Sequence, residues 1–438
     1  MIVMQDVRAD HLGLYGYVRE TSPSLDELAK QSIVYERDYA STSDPVAAMG
    51  TLLTGRYPPE HGLLYTRPLD PGLTTIASLL ASHGYQTHLI TADPETGEQS
   101  GLTAGFEKVD AIDPAADPAL DGGTATVTKH ALDWLRSERD RSRPYFLMLV
   151  YSGAQLPWNP PEPFKSRFTE AWMGDKAIDR GSAVWTPLAR RVNSGEIKMG
   201  PGDMQVLGSL YDGEIAYLDS KIGELIQGLR DDKTLDDAYL LVTSDHGDDL
   251  GDGGHLSDPT SLSDASLQVP LIIRQPGGMG GGTRVKGIVQ DADVMATICD
   301  VLKILKPPSA SPLGTSLAPL GKESHRASAI SVGLRRAGPR VMDLVMSVRD
   351  QRYRYDLAPE GPLSLKDLDV KGPGLEILET SPEIARRLQA QLSAWDSGLL
   401  TAPKPLRPIT AVPAKPEDAG GTGSKAGSKS GSKSGGGD

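Results

Sequence analysis

The sequence predicts an α/β fold: a large, mostly parallel mixed sheet sandwiched by helices, with a smaller C-terminal α+β subdomain. Two observations lead to this prediction. Short continuous apolar runs alternate with stretches of helical periodicity, the pattern of βαβ units whose sheet is buried on both faces. The chain has 438 residues, 38% of them apolar and 24% charged, which is enough for two or three average domains or for one large α/β domain with an appendage.

The individual elements follow from local patterns. From Leu207 to Leu229, apolar side chains recur at spacings near 3.6 residues, which predicts a long amphipathic helix. A capped segment at 74–83 ends at a glycine and predicts a shorter helix. Apolar runs predict strands at 2–4, 87–91, 145–150, 239–243 and 269–273.

The pattern changes near residue 328 to short strand-like pieces, followed by a helix at 382–395. We therefore place the main α/β domain at 1–326 and the C-terminal subdomain at 327–405. The remaining segment, 406–438, is rich in Pro, Ala, Gly, Ser and Lys. Such a composition predicts a disordered, low-complexity tail.

Composition excludes several classes of protein. The formal net charge of −13 argues against nucleic-acid binding, and the single Cys299 excludes an internal disulfide framework. No run approaches the roughly 18 apolar residues of a membrane span. The first residues show no basic and apolar leader, so we expect a cytoplasmic protein by default, or an exported one if an upstream leader is missing.

Polar side chains follow two predicted strands, Gln5 and Asp6 after the first and Asp245 and His246 after a late one. Loops beyond the carboxyl ends of parallel strands build the sites of such sheets. Hard cations prefer oxygen ligands, so these residues are candidate ligands of a divalent metal. Ordinary turn and capping roles explain the same residues, and the pattern alone leaves both interpretations open. The acidic residues that follow, Asp248, Asp249 and Asp252, are expected in a solvated loop.

Six longer blocks occur in order along the chain: QDVRADHLGLYGY (5–17), LLTGRYPPEHG (52–62), PYFLMLVYSGAQLPWNPPEPF (144–164), YDGEIAYLDSKIGEL (211–225), TSDHGDDLGDGG (243–254) and VPLIIRQPG (269–277). Together they resemble formylglycine-type sulfatases of the alkaline phosphatase superfamily. The resemblance implies the sulfatase fold, sulfuric ester hydrolysis, a divalent metal, most readily Ca²⁺, and an anionic ester or sulfated small molecule or carbohydrate as ligand. It indicates no particular protein partner.

The resemblance breaks down at the nucleophile. In that family a Cys or Ser is matured to formylglycine, and the ungapped count places this position on Pro45, which has no nucleophilic side chain. The Pro and Arg of the same motif fall on Ala47 and Met49. The first Asp of the family's metal pair falls on Gln5.

Other functional positions of the family are also replaced. A His expected at the substrate falls on Gln155, and the catalytic Lys falls on Pro259. A further His falls on Gly253 or Gly254, although the adjacent His255 is one shift away. We therefore expect Gln155 and His255 on the substrate side of the site. The family positions that still match are Asp6, Arg56, Asp245 and His246.

Two functions follow as hypotheses. The first is a catalytically impaired sulfatase-like protein, a pseudoenzyme with a partial metal site. The second is an active metal-dependent sulfate or phosphate ester hydrolase, or a phosphoglycerol-type transferase, with Ser43 or Thr42 as nucleophile and Arg56 in the site. The triplet Thr42-Ser43-Asp44 resembles that of phosphoglycerol transferases, but a helix that starts at Pro45 with Asp44 as its cap is the commoner explanation of such a triplet.

Overall fold

The computed structural model describes residues 1–65, 68–114, 121–169, 185–307, 309, 311–323, 326–336, 342–370 and 374–399. The predicted tail at 406–438 lies outside these residues. Within them the predicted α/β class is confirmed: helices flank a large, mostly parallel sheet, and a small antiparallel sheet follows it in the chain.

The large sheet contains eight strands of the described residues in the order β4-β3-β5-β1-β6-β7-β2-β8. Neighbouring strands are parallel except where β7 pairs with β6 and β2. The strands are β1 Ile2–Met4, β2 Ile33–Tyr39, β3 Gln86–Thr91, β4 Lys108–Ala111, β5 Tyr145–Tyr151, β6 Leu240–Thr243, β7 Gln268–Arg274 and β8 Thr283–Gln290.

The helices include all three that the sequence predicts. They are α1 Pro23–Ala29, α2 Pro45–Thr54, α3 Pro58–His61, α4 Ile76–Ser82, α5 Thr124–Asp133, α6 Phe164–Phe168, α7 Trp185–Asn193, α8 Pro201–Asp231, α9 Asp264–Leu267, α10 Asp293–Leu302 and α11 Pro382–Leu399. Across the described ranges, no helix combines the length and the apolar character that a membrane crossing requires.

Strand β1 shows why the sheet is buried on both faces. Successive side chains of a strand point to opposite faces. Ile2 and Met4 accordingly pack in the hydrophobic core that contains the apolar face of α8, while Val3 packs in the core that contains α2 and α4. All three side chains are buried. Because β1 lies between β5 and β6, the residues that follow it are placed at the middle of the sheet.

The second sheet is antiparallel, in the order β13-β12-β11-β10-β9, and α11 packs against it. Its first strand is bound to the main sheet: the Val332 amide donates to the Ser41 carbonyl at 2.8 Å, and the side chain of Gln290 bonds both backbone groups of Ile330. The predicted domain boundary near residue 327 stays a proposal. The strands are β9 Ala329–Arg336, β10 Met342–Arg349, β11 Tyr353–Ala358, β12 Gly361–Asp367 and β13 Leu375–Glu376.

Helix α8 carries buried carboxyl groups as well as its apolar face. Asp212 is fully buried and accepts hydrogen bonds from the Tyr17 hydroxyl at 2.8 Å and the Arg19 guanidinium at 2.7 Å. His11 lies 2.8 Å from the other oxygen of the same carboxylate. These contacts tie the segment after β1 to the helix, because a buried carboxylate requires donors from its surroundings.

Candidate functional site

Four neighbouring parallel strands, in the order β3-β5-β1-β6, end at the same edge of the sheet. The polar residues that follow these ends therefore meet, as expected for a parallel sheet. We call this group the strand-end cluster. Its members are Gln5, Asp6, Asp93, Ser152, Asp245 and His246, all of them buried.

The Gln5 side chain bridges the cluster. Its amide nitrogen donates to Asp93 Oδ2 at 2.9 Å and to Asp245 Oδ2 at 3.3 Å, and its oxygen accepts from the Ser152 hydroxyl at 3.0 Å. An ionised carboxylate can only accept, so two carboxylates on one side require the amide to present its NH₂ group there. Gln5 is thus oriented as a hydrogen-bond donor to both acids.

Asp245 is held by the backbone around it. Its Oδ1 accepts the amide of Asp6 at 3.2 Å and the amide of His246 at 2.8 Å. Asp6 has a φ of +62°, in the left-handed region that non-glycine residues rarely adopt. This turn directs the Asp6 amide at Asp245. The arrangement leaves Asp245 with backbone donors on one oxygen and Gln5 on the other.

Asp6 and His246 form the charged pair of the cluster. His246 Nδ1 lies 3.2 Å from Asp6 Oδ1 and 2.7 Å from the Gly247 carbonyl. Because a carbonyl only accepts, Nδ1 carries a hydrogen. Burial by itself lowers the pKa of His246, but the adjacent Asp245 and Asp6 outweigh it and raise that pKa to about 9. The imidazole is therefore cationic near neutral pH.

The same burial acts on the neighbouring acids. It raises the pKa of Asp6 to about 7; His246 opposes the shift and Asp245 adds to it. Burial also raises the pKa of Asp93, against the hydrogen bonds that it accepts from the Glu95 amide and from Gln5. Burial in a low dielectric thus shifts both Asp6 and Asp93 towards their neutral forms, and for Asp6 the nearby His246 offsets only part of that shift.

The solvated acidic loop predicted after His246 is wrong for two of its three residues, because Asp248 and Asp249 are buried. Asp248 accepts from the Ser257 hydroxyl at 2.7 Å. The carboxylate of Asp249 accepts from the hydroxyls of Ser263 at 2.7 Å and Ser266 at 2.9 Å. Serine hydroxyls from a later segment donate hydrogen bonds to these carboxylates. The local sequence around 248–249 does not predict these contacts or the burial of the two residues.

The structure brings the four predicted metal ligands, Gln5, Asp6, Asp245 and His246, together. As arranged here they do not present a hard-cation site, because Gln5 directs N–H groups, and not its carbonyl oxygen, at the carboxylates of Asp93 and Asp245. In the described part of the chain, no set of three or more His, Cys, Asp or Glu side chains is arranged to hold a metal ion. The expected calcium site is not confirmed.

Helix α2 begins where the nucleophile was expected. Pro45 is its first residue, and Asp44 caps it by accepting the Ala47 amide at 2.9 Å. The Ser43 hydroxyl donates to the Pro259 carbonyl at 2.9 Å, and the Thr42 hydroxyl accepts the Asp44 amide at 3.2 Å. Both hydroxyls are buried and both bond backbone groups beside the helix start.

Arg56 lies beyond the other end of α2. The helix of ten residues spans about 15 Å, at a rise of 1.5 Å per residue. The Arg56 guanidinium donates to the Ser309 carbonyl. The structure therefore does not bring Arg56 together with Thr42 and Ser43.

The two residues predicted on the substrate side have different surroundings. Gln155, in the loop after β5, donates its backbone amide to the Ser152 carbonyl at 3.2 Å and lies near the Asp6 carboxyl, whose pKa it lowers, and so belongs to the edge of the strand-end cluster. His255 is half exposed and its Nδ1 pairs with Asp258 at 3.1 Å. Of these two, only Gln155 contacts the cluster in the described contacts.

Sequence reasoning missed Asp93 and Ser152. Both follow correctly predicted strands, so a search of every strand end would have found them. Arg8 was also missed: its buried guanidinium bonds Asp252 at 2.6 Å, Asp10 at 2.9 Å and the Asp248 carbonyl at 3.2 Å. Arg8 therefore ties the loop after β6 to the segment after β1, and its cationic group is engaged by the protein.

Two clefts among the described residues lie away from the strand-end cluster. One, of about 330 Å³, is lined by residues of α1, β2 and β8 with Gly13 and Leu14. The other, of about 270 Å³, is lined mainly by residues around Tyr15, Arg37 and Arg284. Neither contains a member of the cluster.

Comparison with known proteins identifies the class of fold. A phosphonate monoester hydrolase of Agrobacterium radiobacter superposes with a TM-score of 0.74 at 22% identity, covering 91% of this chain and 95% of that one. A protein solved with its substrate D-glucosamine-2-N,6-O-disulfate superposes with a TM-score of 0.72 at 18% identity, covering 92% and 97%. The chain thus has the fold of the sulfatases and phosphonate hydrolases of the alkaline phosphatase superfamily.

Sequence comparison identifies the family within that class. The sulfatase family profile matches residues 1–304, which is more than half of the chain. An arylsulfatase of Clostridium perfringens is 24% identical over 391 residues, covering 74% of this chain and 78% of the relative. The chain belongs to the sulfatase family.

Proposed function

We propose that this chain is a non-hydrolytic member of the sulfatase family that acts by binding an anionic ligand, with a sulfated carbohydrate as the preferred class. Catalysis in this family, as the resemblance implies it, needs an activated oxygen in line with sulfur and groups that stabilise the developing charge. The positions that would supply these groups are occupied here by Pro45, Met49, Gln155 and Pro259.

The start of α2 is the observation that carries the proposal. A helix N-terminus favours an oxyanion because its first amide groups are free and its dipole is positive there. Here Asp44 bonds the Ala47 amide and places the protein's own negative charge at that end. Pro45 adds no amide hydrogen. A sulfate or phosphate ester placed for attack would meet a carboxylate where the family presents its nucleophile, so the proposed ligand would not be held through its sulfate at this helix start.

The alternative of an active hydrolase or transferase has less support. Ser43 and Thr42 are buried, and their hydroxyls bond the backbone of Pro259 and Asp44. Attack on an ester would require breaking these bonds and opening the helix start. Neither residue has a general base assigned by a hydrogen bond in the described contacts, as nucleophile activation normally requires.

The ligand class is supported by the relatives. One structural neighbour was solved with D-glucosamine-2-N,6-O-disulfate as its substrate. The net charge of −13 opposes polyanions in general, so binding should depend on the sugar as well as on its charge.

The test is to titrate the full chain with D-glucosamine-2-N,6-O-disulfate by calorimetry and to recover the sugar for mass spectrometry. We expect saturable binding and a sugar that keeps both sulfates after prolonged incubation. Unsulfated glucosamine is the matched ligand control and should bind at least 10-fold more weakly, since it lacks the anionic groups. Release of sulfate in proportion to protein concentration, or the absence of binding, would contradict the proposal.

A further inference from the structure

We propose that Gln5 and His246 together take the place of a divalent cation in the strand-end cluster, so that this chain folds and stays folded without a metal ion. The inference is independent of whether esters are hydrolysed, because it concerns how the buried carboxylates of the cluster are neutralised.

The first part of the argument is the position of the Gln5 amide. Asp93 and Asp245 approach each other after β3 and β6, with Gln5 between them at 2.9 and 3.3 Å from one oxygen of each. Two buried carboxylates that approach the same group this closely require a shared cation or a shared hydrogen-bond donor. The NH₂ group has two hydrogens and supplies one to each acid.

The second part is the charge of the cluster. The family position of Gln5 is an Asp by resemblance, and an amide there has no charge. The substitution therefore removes one negative charge from the buried group and adds a donor at the same place. Both changes lower the affinity of the cluster for a cation, since cation affinity in oxygen sites rises with the number of carboxylate ligands.

The third part is the remaining acid, Asp6. Its Oδ1 faces His246 Nδ1 at 3.2 Å. His246 Nε2 lies 3.8 Å from Asp245 Oδ2. The imidazole thus lies between two of the three acids, and with Gln5 it provides a protein partner for each carboxylate in the cluster.

The experiment uses the full chain and measures metal content and thermal unfolding. We expect the purified wild-type protein to contain less than 0.1 equivalent of Ca²⁺, Mg²⁺, Mn²⁺ or Zn²⁺ by elemental analysis. Its unfolding midpoint should be the same in EDTA and in millimolar Ca²⁺. A stoichiometric metal, or a rise of several degrees in Ca²⁺, would overturn the inference whatever the variants do.

The variant Gln5→Asp restores a third oxygen ligand beside Asp93 and Asp245. We expect it to be less stable than wild type in EDTA and to gain several degrees in its unfolding midpoint in Ca²⁺, with saturable Ca²⁺ binding by calorimetry. If Gln5→Asp is unfolded in EDTA, refolding of the variant on addition of Ca²⁺ would support the inference equally. Gln5→Asn is the matched control: it keeps the amide and should show no response to Ca²⁺.

A Gln5→Asp protein that folds but ignores Ca²⁺, or a Gln5→Asn protein that responds to Ca²⁺ as strongly as Gln5→Asp, would overturn the inference. Metal-free ester hydrolysis by the wild type would contradict the proposed function and leave this inference intact. The two proposals therefore fail by different results.

Discussion

Replacing Asp245 with alanine should lower the free energy of unfolding by about 3–5 kcal/mol, the usual cost of removing one member of a buried charged group. Asp245 is fully buried, accepts from the amides of Asp6 and His246, and receives the Gln5 side chain. Alanine would leave the amides of Asp6 and His246 without this acceptor, leave Gln5 with Asp93 alone, and leave His246 with one anionic neighbour fewer. Urea unfolding followed by circular dichroism measures the loss.

The matched control for that variant is Asp10→Ala. Asp10 also bonds a member of the same loops, Arg8, but its side chain is 62% exposed. The Asp10 end of this pair is exposed, and Arg8 keeps its bonds to Asp252 and the Asp248 carbonyl, so this change should cost only about 1–2 kcal/mol. An Asp245→Ala protein as stable as Asp10→Ala would show that the strand-end cluster is not a buried, mutually dependent group.

Replacing Gly247 with alanine should destabilise the protein by about 3 kcal/mol or more, through overpacking against rigid backbone. A Cβ atom at this position would lie 2.0 Å from the Ala265 carbonyl oxygen. The Gly247 amide also donates to the Ser266 carbonyl at 2.8 Å, so the two segments cannot separate without breaking that bond. The same urea experiment measures the effect.

Gly208→Ala is the control for that substitution. Gly208 lies inside α8, and a Cβ atom there would have no neighbour within 4 Å. Alanine is favoured over glycine in a helix by about 1 kcal/mol, so this variant should gain stability. A Gly247→Ala protein as stable as wild type would contradict the close packing of the loop after β6 against α9.

Much of the fold could be predicted because apolar runs report directly on buried parallel strands. The first strand at 2–4 has the predicted bounds, and the strand predicted at 145–150 is longer by one residue. The helix predicted from Leu207 to Leu229 extends to Pro201–Asp231. Its additional residues fall outside the apolar periodicity on which the prediction rested.

The candidate site was predictable only in part, because local sequence does not contain the strand order. Asp93 contacts Gln5 because only β5 separates β3 from β1 in the sheet, and no pattern near residue 93 reveals that order. The family resemblance correctly identified an arginine at position 56, but it did not reveal that Arg56 follows the C-terminal end of α2, away from Thr42 and Ser43. In contrast, a helix that starts at Pro45 with Asp44 as its cap is a local sequence pattern, and the structure contains this helix start.

The most direct test of the account is the turnover of aryl sulfates and of aryl phosphate mono- and diesters by the folded full chain. Assays in EDTA, Ca²⁺, Mn²⁺ and Zn²⁺ would be run beside a Thr42→Val, Ser43→Ala double variant as the contamination control. We predict that wild type and the double variant release product at the same background rate under every condition. Turnover by the wild type that the double variant lacks would contradict the non-hydrolytic function and identify Thr42 or Ser43 as the nucleophile.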